Sequence, residues 1–449
     1  MEKIDPTIFK AYDIRGVYPS QINEEAVYKI AQAYAKFVNP KTVVLSRDVR
    51  LSGPALFEAV KNGLVDHGVN VIDIGIGTTD MFYFAVANYG YDGGMMISAS
   101  HNPGEYNGLK IVREKSIPTS GDTGIEELKR LVLADYKFKA ETSGNLQTKD
   151  VAVDYLAKCA SFIDSKKLKV LKVVVNGMFG PAVQNVFKLN LPVELVPLNE
   201  VPDGHFPKGA PDPLLEQNRT ETTELVKSSK ADMGAAWDAD ADRFFLFDEN
   251  GRFIPGYYLT AFLGRYFAQK IPGAKIIFDP RATWATIDSV TKAGGVPLMN
   301  KAGHSFIKER MRKEDAVFGG EMSGHFYFKD FFYCDNGLIP FLLILEIVSG
   351  SGKKVSELFE PFFEQYFVSG EINTSLQSDS QIAETFERIE KEFKDSAIDR
   401  TDGLSLEYSD WRANIRSSNT QSLIRLNVEA RDPETLKVAT QSLLELIQN

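Results

Sequence analysis

Along this chain, helical spacing of apolar residues alternates with short unbroken apolar runs, and the alternation recurs three times before it changes. After Asn23-Glu24-Glu25, the residues Val27, Ile30, Ala31 and Tyr34 share one face of a predicted helix, and Thr42-Val43-Val44-Leu45 follows as a buried strand. Ser52 is expected to cap a helix ending near Gly68; residues 69–74 read as strand, and Gly94-Met95-Met96-Ile97 as another. Strand alternating with helix predicts an α/β domain. The polar residues 140–149 read as a linker, after which 170–175 is strand-like, Pro181 opens a helical stretch and 231–237 is an apolar strand. A third unit starts near Gly256, with 275–278 as strand, a helix reaching Lys292, a helix after Lys301-Ala302-Gly303-His304, and a strand over 316–320. From about Tyr366 the pattern becomes a smaller mixture, in which 423–428 alternates as a strand and 433–447 closes the chain as a helix.

The division predicts four domains, at residues 1–149, 150–255, 256–365 and 366–449. A length of 449 residues suits this, since one core serves roughly 150 residues. The acidic balance, 51 Lys and Arg against 61 Asp and Glu for a net charge of −10, argues against broad nucleic-acid binding, so an anionic substrate needs a local basic pocket. No apolar run approaches the roughly 18 residues that span a bilayer, and Met1-Glu2-Lys3-Ile4-Asp5-Pro6 lacks the apolar core of a secretory signal; no membrane partner and a cytoplasmic location are expected. Cys159 and Cys334, far apart and without metal-ligand spacing, are expected to be buried free thiols.

Chemistry concentrates where apolar strands end. Ser98-Ala99-Ser100-His101-Asn102-Pro103 places two hydroxyls, an imidazole and an amide at the carboxyl end of a strand, where open α/β sheets bind ligands; one serine can carry a transferred group, although taken alone the segment reads equally as a polar turn. Arg15 precedes this loop and Lys110 follows it. Asp238-Ala239-Asp240-Ala241-Asp242-Arg243 sets three carboxylates at alternate positions. They are hard oxygen ligands that converge on Mg²⁺ if the backbone curls, and their mutual repulsion favours a cation over a bare acidic turn. Glu321-Met322-Ser323-Gly324-His325 offers hydrogen-bonding groups for sugar hydroxyls, and Arg416-Ser417-Ser418-Asn419-Thr420 offers a guanidinium with hydroxyls and amides, a phosphate cradle. The three strand-then-polar-loop passages suggest related units whose loops meet in one cleft.

In these four stretches, in the same order and over nearly the whole chain, the sequence resembles the α-D-phosphohexomutase family, and within it the phosphomannomutase/phosphoglucomutase branch. The resemblance implies an α/β fold class: three similar mixed-sheet α/β domains plus a smaller α+β C-terminal domain, four domains around a central cleft. It implies an isomerase that interconverts hexose 1-phosphate and hexose 6-phosphate, mannose or glucose, through a phosphoserine and a hexose 1,6-bisphosphate that serves as intermediate and activator. By this resemblance Ser100 is the phosphoryl carrier, with Arg15, Lys110 and His101 as the candidates for proton handling and Arg243 stabilising the transferring charge, and one Mg²⁺ per chain is held by Ser100, Asp238, Asp240 and Asp242. Tyr12, Arg281, His304, Glu321, Ser323, His325, Arg416, Ser418, Asn419 and Thr420 are the expected substrate contacts. Two positions depart from the pattern. Ala239 stands where relatives carry Gly, which matters for metal affinity if that position has positive φ, and Arg281 stands where relatives often carry Lys. Phosphoglucosamine mutase, disfavoured by Met322, and a non-catalytic sugar-phosphate-binding protein are the alternatives; monomer and dimer stay open.

Overall fold

The structure is a computed structural model that describes residues 4–281, 283–376, 378–417 and 423–448. It divides into two compact units, one of Met1–Ile254 with Ser323–Ser356 and one of Pro255–Met322 with Glu357–Asn449.

In the first unit, Asn23 accepts from Ala26 N at 3.0 Å and starts the helix Glu24–Val38, whose apolar face carries Val27, Ile30 and Tyr34 into the core. The six-stranded sheet runs in the order Ile14–Val17, Tyr106–Arg113, Gly93–Ile97, Thr42–Arg47, Asn70–Ile76 and Leu146–Thr148. Gly93–Ile97 is buried at every position, parallel to Thr42–Arg47 and antiparallel to Tyr106–Arg113, so its end is locked on both sides. Gly94 is required there, because a Cβ would meet the Phe82 ring at 2.6 Å and Val44 O at 2.7 Å. Two expectations are corrected. The polar stretch 140–149 is not wholly linker, since Leu146–Thr148 pairs in parallel with Asn70–Ile76 through backbone bonds that need no apolar side chains. Ser52 sits at the start of Gly53–Asp66 but makes no cap bond; its Oγ instead accepts from Asn107 Nδ2 at 2.8 Å.

A second sheet of this unit orders Phe253–Ile254, Phe245–Phe247, Met233–Ala236, Lys172–Asn176 and Glu194–Leu198, the last three parallel and the first two antiparallel. The hairpin Phe326–Phe328 with Cys334–Asp335 leads into the helix Leu338–Ser351, buried throughout its first half, and Trp237 Nε1 donates to Gly337 O at 2.8 Å.

In the second unit Val296–Met299, Lys275–Phe278 and Phe318–Gly320 lie side by side in parallel, flanked by the helices Gly256–Lys270, Trp284–Lys292 and His304–Glu314. The C-terminal sheet is antiparallel throughout, in the order Phe367–Ser375, Leu423–Ala430, Trp411–Ser417, Leu404–Glu407 and Ala397–Asp399. Its apolar face is covered by Asp379–Glu392 and Pro433–Gln448. The alternation expected over 423–428 is masked, because Leu423–Ala430 is the second strand in and only Arg425 escapes burial. The fold class is thus as expected: α/β parts with mixed sheets and an α+β C-terminal part. Among the described residues no helix is long and apolar enough to cross a membrane, and Cys159 and Cys334 are free and buried.

Candidate active site

Beyond Ile97 the chain leaves the sheet, and Ser100 takes a left-handed conformation with φ of 50°, a backbone state that costs an L-residue roughly 1–2 kcal/mol. Arg50 holds it there. Its NH1 donates to Pro103 O at 2.6 Å and Tyr106 O at 2.9 Å, and its NH2 to Ser100 O at 2.7 Å and Asn102 O at 2.6 Å, while Nε pairs with Asp48 at 3.1 Å. Both charged groups are fully buried, and burial pushes the Asp48 carboxyl up and the Arg50 guanidinium down despite their pairing. Ser100 N donates to Ser98 Oγ at 2.9 Å, and Arg15 reaches the same loop by donating to Asn102 Oδ1 while pairing with Asp13 at 2.5 Å.

The carboxylate trio approaches from the turn after Met233–Ala236. Ser100 Oγ donates to Asp238 Oδ2 at 2.8 Å and lies 3.2 Å from His101 Nδ1. Asp240 Oδ2 accepts from Lys110 Nζ at 2.6 Å, Thr79 Oγ1 at 2.7 Å and Ser98 Oγ at 3.1 Å, and Lys110 also pairs with Asp242. Arg243 Nε donates to His325 Nε2 at 3.3 Å and lies 3.7 Å from Asp238 Oδ2; His325 Nε2 is 3.5 Å from Asp242 Oδ1. The curl that gathers the carboxylates has its positive φ at Ala241, 58°, and not at Ala239, so the glycine question moves two positions along. Ala239 instead packs fully buried.

Charge explains the titration of these groups. Burial, then Asp242 and Asp240, push Asp238 well up; burial and Asp240 push Asp242 up to about 6. Burial opposes ionisation of Asp240 as well, but Lys110 outweighs it and holds that carboxyl below the usual range. Burial works against the Lys110 charge too, yet Asp240 and Asp242 raise its pKa, so it is a fixed cation and not a base. His101 is driven well down by burial and by Arg243 and Arg15, which leaves a neutral imidazole beside Ser100. Carboxylate oxygens of Asp238, Asp240 and Asp242 lie within 4.8 Å of one another. Asp240 Oδ1 and Asp242 Oδ1 are buried with no hydrogen-bond partner among the described residues. Hard donors, spare lone pairs and unmet negative charge fit a divalent cation.

The second unit holds a separate group. Arg281 is buried and bound to Asp279 at 2.9 Å, with Glu371 at 3.5 Å and Glu321 at 3.6 Å; these carboxylates outweigh burial and raise its pKa. Glu321 Oε1 accepts from Gly303 N at 2.8 Å, the residue before His304, which brings two expected sugar contacts together. Arg416 pairs with Glu371 and Asp402, each at 3.2 Å, and Asp402 accepts from Ala302 N at 3.2 Å. Ser323 lies in the turn before His325 and Tyr12 in the bend before Ile14–Val17. The expected phosphate contacts Ser418, Asn419 and Thr420 lie outside the described residues.

Sequence reading passed over Asp48, Arg50, Thr79, Asp279, Glu371 and Asp402. Asp48 and Arg50 had a readable signal: they directly follow Thr42–Arg47, at the sheet edge where Ser98 follows Gly93–Ile97. Asp279 stands two residues before Arg281, but Glu371 and Asp402 had no such signal, because the arginines they pair with lie on other strands and turns of the chain.

Known families match all four parts of the chain, as phosphoglucomutase/phosphomannomutase alpha/beta/alpha domains I, II and III over residues 6–137, 152–251 and 255–366, and as the C-terminal domain over 371–444. A phosphomannomutase of Escherichia coli (strain K12) is 48% identical over 453 aligned positions that cover 98% of this chain and 99% of the relative. A protein of Xanthomonas campestris named for phosphohexose mutases is 45% identical, covering 98% and 99%. The crystal structure of a phosphoglucomutase/phosphomannomutase family protein from Burkholderia thailandensis superposes with a TM-score of 0.88 at 31% identity, covering 99% of this chain and 98% of its own. On its four domains, its full-length identity and its architecture, this chain belongs to the phosphoglucomutase/phosphomannomutase family of phosphohexomutases.

Proposed function

We propose that this chain interconverts the 1-phosphate and 6-phosphate of mannose, glucose or both, with Ser100 as the phosphoryl carrier. The observation that carries this reading is the left-handed Ser100, whose Oγ sits 2.8 Å from Asp238 and 3.2 Å from a neutral His101. In the forward step the bond from Ser100 Oγ to phosphorus breaks as a bond forms from phosphorus to the free hydroxyl of a hexose phosphate, and the hydroxyl proton leaves to a base. His101 Nδ1 is the neutral acceptor for it, whereas Lys110 and Arg243, both held as cations, offset charge on the transferring group. The resulting hexose 1,6-bisphosphate turns round and returns its other phosphoryl group to Ser100. Asp238, Asp240, Asp242 and the Ser100 oxygen are the residues that would hold one Mg²⁺, which supplies Lewis-acid neutralisation of phosphoryl oxygens.

Tyr12, Glu321, Ser323, His304 and His325 are assigned to the sugar. Arg416 is assigned to the non-reacting phosphate, as are Ser418, Asn419 and Thr420. Arg281, committed to three carboxylates, acts through Glu321 by holding it. Two buried free thiols support a cytoplasmic setting. The test is a substrate panel followed by ³¹P NMR with mannose 1-phosphate, glucose 1-phosphate and glucosamine 6-phosphate. Turnover of either of the first two is expected. Turnover of the amino sugar alone would move the chain to the other branch, and binding without turnover or a phosphorylated serine would make it a non-catalytic binder.

A further inference from the structure

We infer that the second unit carries another ligand site, for a small phosphorylated polyol or sugar, in a cavity of about 380 Å³ walled by Gly256–Lys270, Trp284–Lys292 and residues 361–366. None of the residues assigned above to substrate lines it, so the inference is independent of the proposed reaction. The volume falls within the roughly 300–1,000 Å³ of small-molecule pockets.

Charge points to an anion. Arg265 lies in the wall with its guanidinium 5.3 Å from the ring centroids of both Phe262 and Phe362, and among the described residues it has no carboxylate or other acceptor. It is half-buried, and burial pulls its pKa down with nothing to offset the cost, an unusual position in a chain with 61 acidic residues. Lys292 adds an exposed ammonium that is also without an ion pair among the described residues. The one carboxylate of the wall, Asp288, is already engaged by Tyr366 OH at 2.7 Å and by Arg431 at 3.2 Å. The wall therefore presents uncompensated positive charge on a protein of net charge −10. A guanidinium beside an ammonium suits a phosphate, the first by paired donors and the second as a point charge.

Uncharged donors and acceptors give the rest of the ligand its character. Gln269, Ser289 and Gln365 line the same cavity and match hydroxyl groups. A nucleobase has no place to stack, because Phe362 is packed among Tyr258, Phe262 and Phe359, and Arg431 covers the ring of Tyr366 at 5.2 Å. Trp284–Lys292 ends at this cavity and begins just past Arg281, so one rigid helix links it to the group around Glu321 and Arg416.

The experiment is equilibrium dialysis of the full chain, loaded with Mg²⁺, against labelled sorbitol 6-phosphate, with Arg265→Gln and Lys292→Glu run beside the wild type. One more bound probe per chain is expected in the wild type than in either variant. At that extra site, inorganic phosphate should bind at least tenfold more weakly than sorbitol 6-phosphate. Arg265→Gln removes a side chain that packs on two rings and can disturb the fold; Lys292→Glu alters only an exposed charge and keeps the test decisive. Equal probe numbers in the wild type and Lys292→Glu overturn the site, and equal affinity for inorganic phosphate overturns its assignment to a polyol phosphate.

Discussion

Arg50 is expected to be the residue on which the conformation of the serine loop depends, although it touches no carboxylate of the metal trio. In Arg50→Met, four backbone carbonyls of the loop segment lose a charged donor, and Asp48 is left buried without its counter-ion. Hydrogen bonds to charged groups contribute about 1.5–3 kcal/mol each but do not add when they share one guanidinium. Removing one partner of a buried pair costs about 3–5 kcal/mol, and that is the expected loss of stability. For a unit of this size it lowers the melting temperature by about 6–10 °C. Ser100 would lose its left-handed hold, and displacement of a reacting group by about 1 Å costs on the order of a hundredfold in kcat. Mg²⁺ affinity should fall less than kcat, because the three aspartates keep their places while only the Ser100 oxygen shifts. Arg50→Lys keeps the charge but cannot span four carbonyls and a carboxylate, so it should fall between. Adding Asp48→Asn to Arg50→Met should recover stability, because the orphaned carboxylate is gone, without recovering kcat. Calorimetric melting, steady-state kinetics and Mg²⁺ titration on the four proteins read all of this. A melting temperature and kcat unchanged in Arg50→Met would refute the reasoning.

Ser100→Ala should abolish mutase turnover and remove one phosphate from the intact mass; normal turnover would show another carrier. Since burial and Asp240 push Asp242 up to about 6, and burial with Asp242 and Asp240 pushes Asp238 well up, protons compete with the cation on the acid side. Mg²⁺ affinity should therefore fall as pH drops through about 6, with proton release on binding read by calorimetry in two buffers, and Asp240→Asn should lose most activity at any Mg²⁺ concentration. Arg416→Ala should weaken binding of mannose and glucose phosphates alike by about 1.5–3 kcal/mol, read as inhibition constants; an effect on one sugar alone would show that Arg416 reads the sugar.

What the sequence by itself determined is what depends on neighbours along the chain. The helix started by Asn23 and the buried strand ending at Ile97 follow from local spacing and capping. The loops that hold Ser100, the three aspartates and Glu321 are legible because each lies where an apolar run stops and polar residues crowd together. The tertiary structure decided what depends on partners far apart. Lys110 looked like a candidate for proton handling until Asp240 and Asp242, more than a hundred residues on, closed around it and fixed its charge. His101 reads as an ordinary histidine until burial and two arginines strip its proton. Ser52 looked like a cap until Asn107 took its oxygen, and 146–148 looked like linker until the backbone of Asn70–Ile76 offered a ladder. Arg50 shows the limit most clearly: its bonds go mostly to carbonyls, which every residue carries, so no pattern of side chains announces them. Local propensity and periodicity place an element, but a pKa or a held loop is set by burial and by charges that only the folded chain brings within a few ångströms.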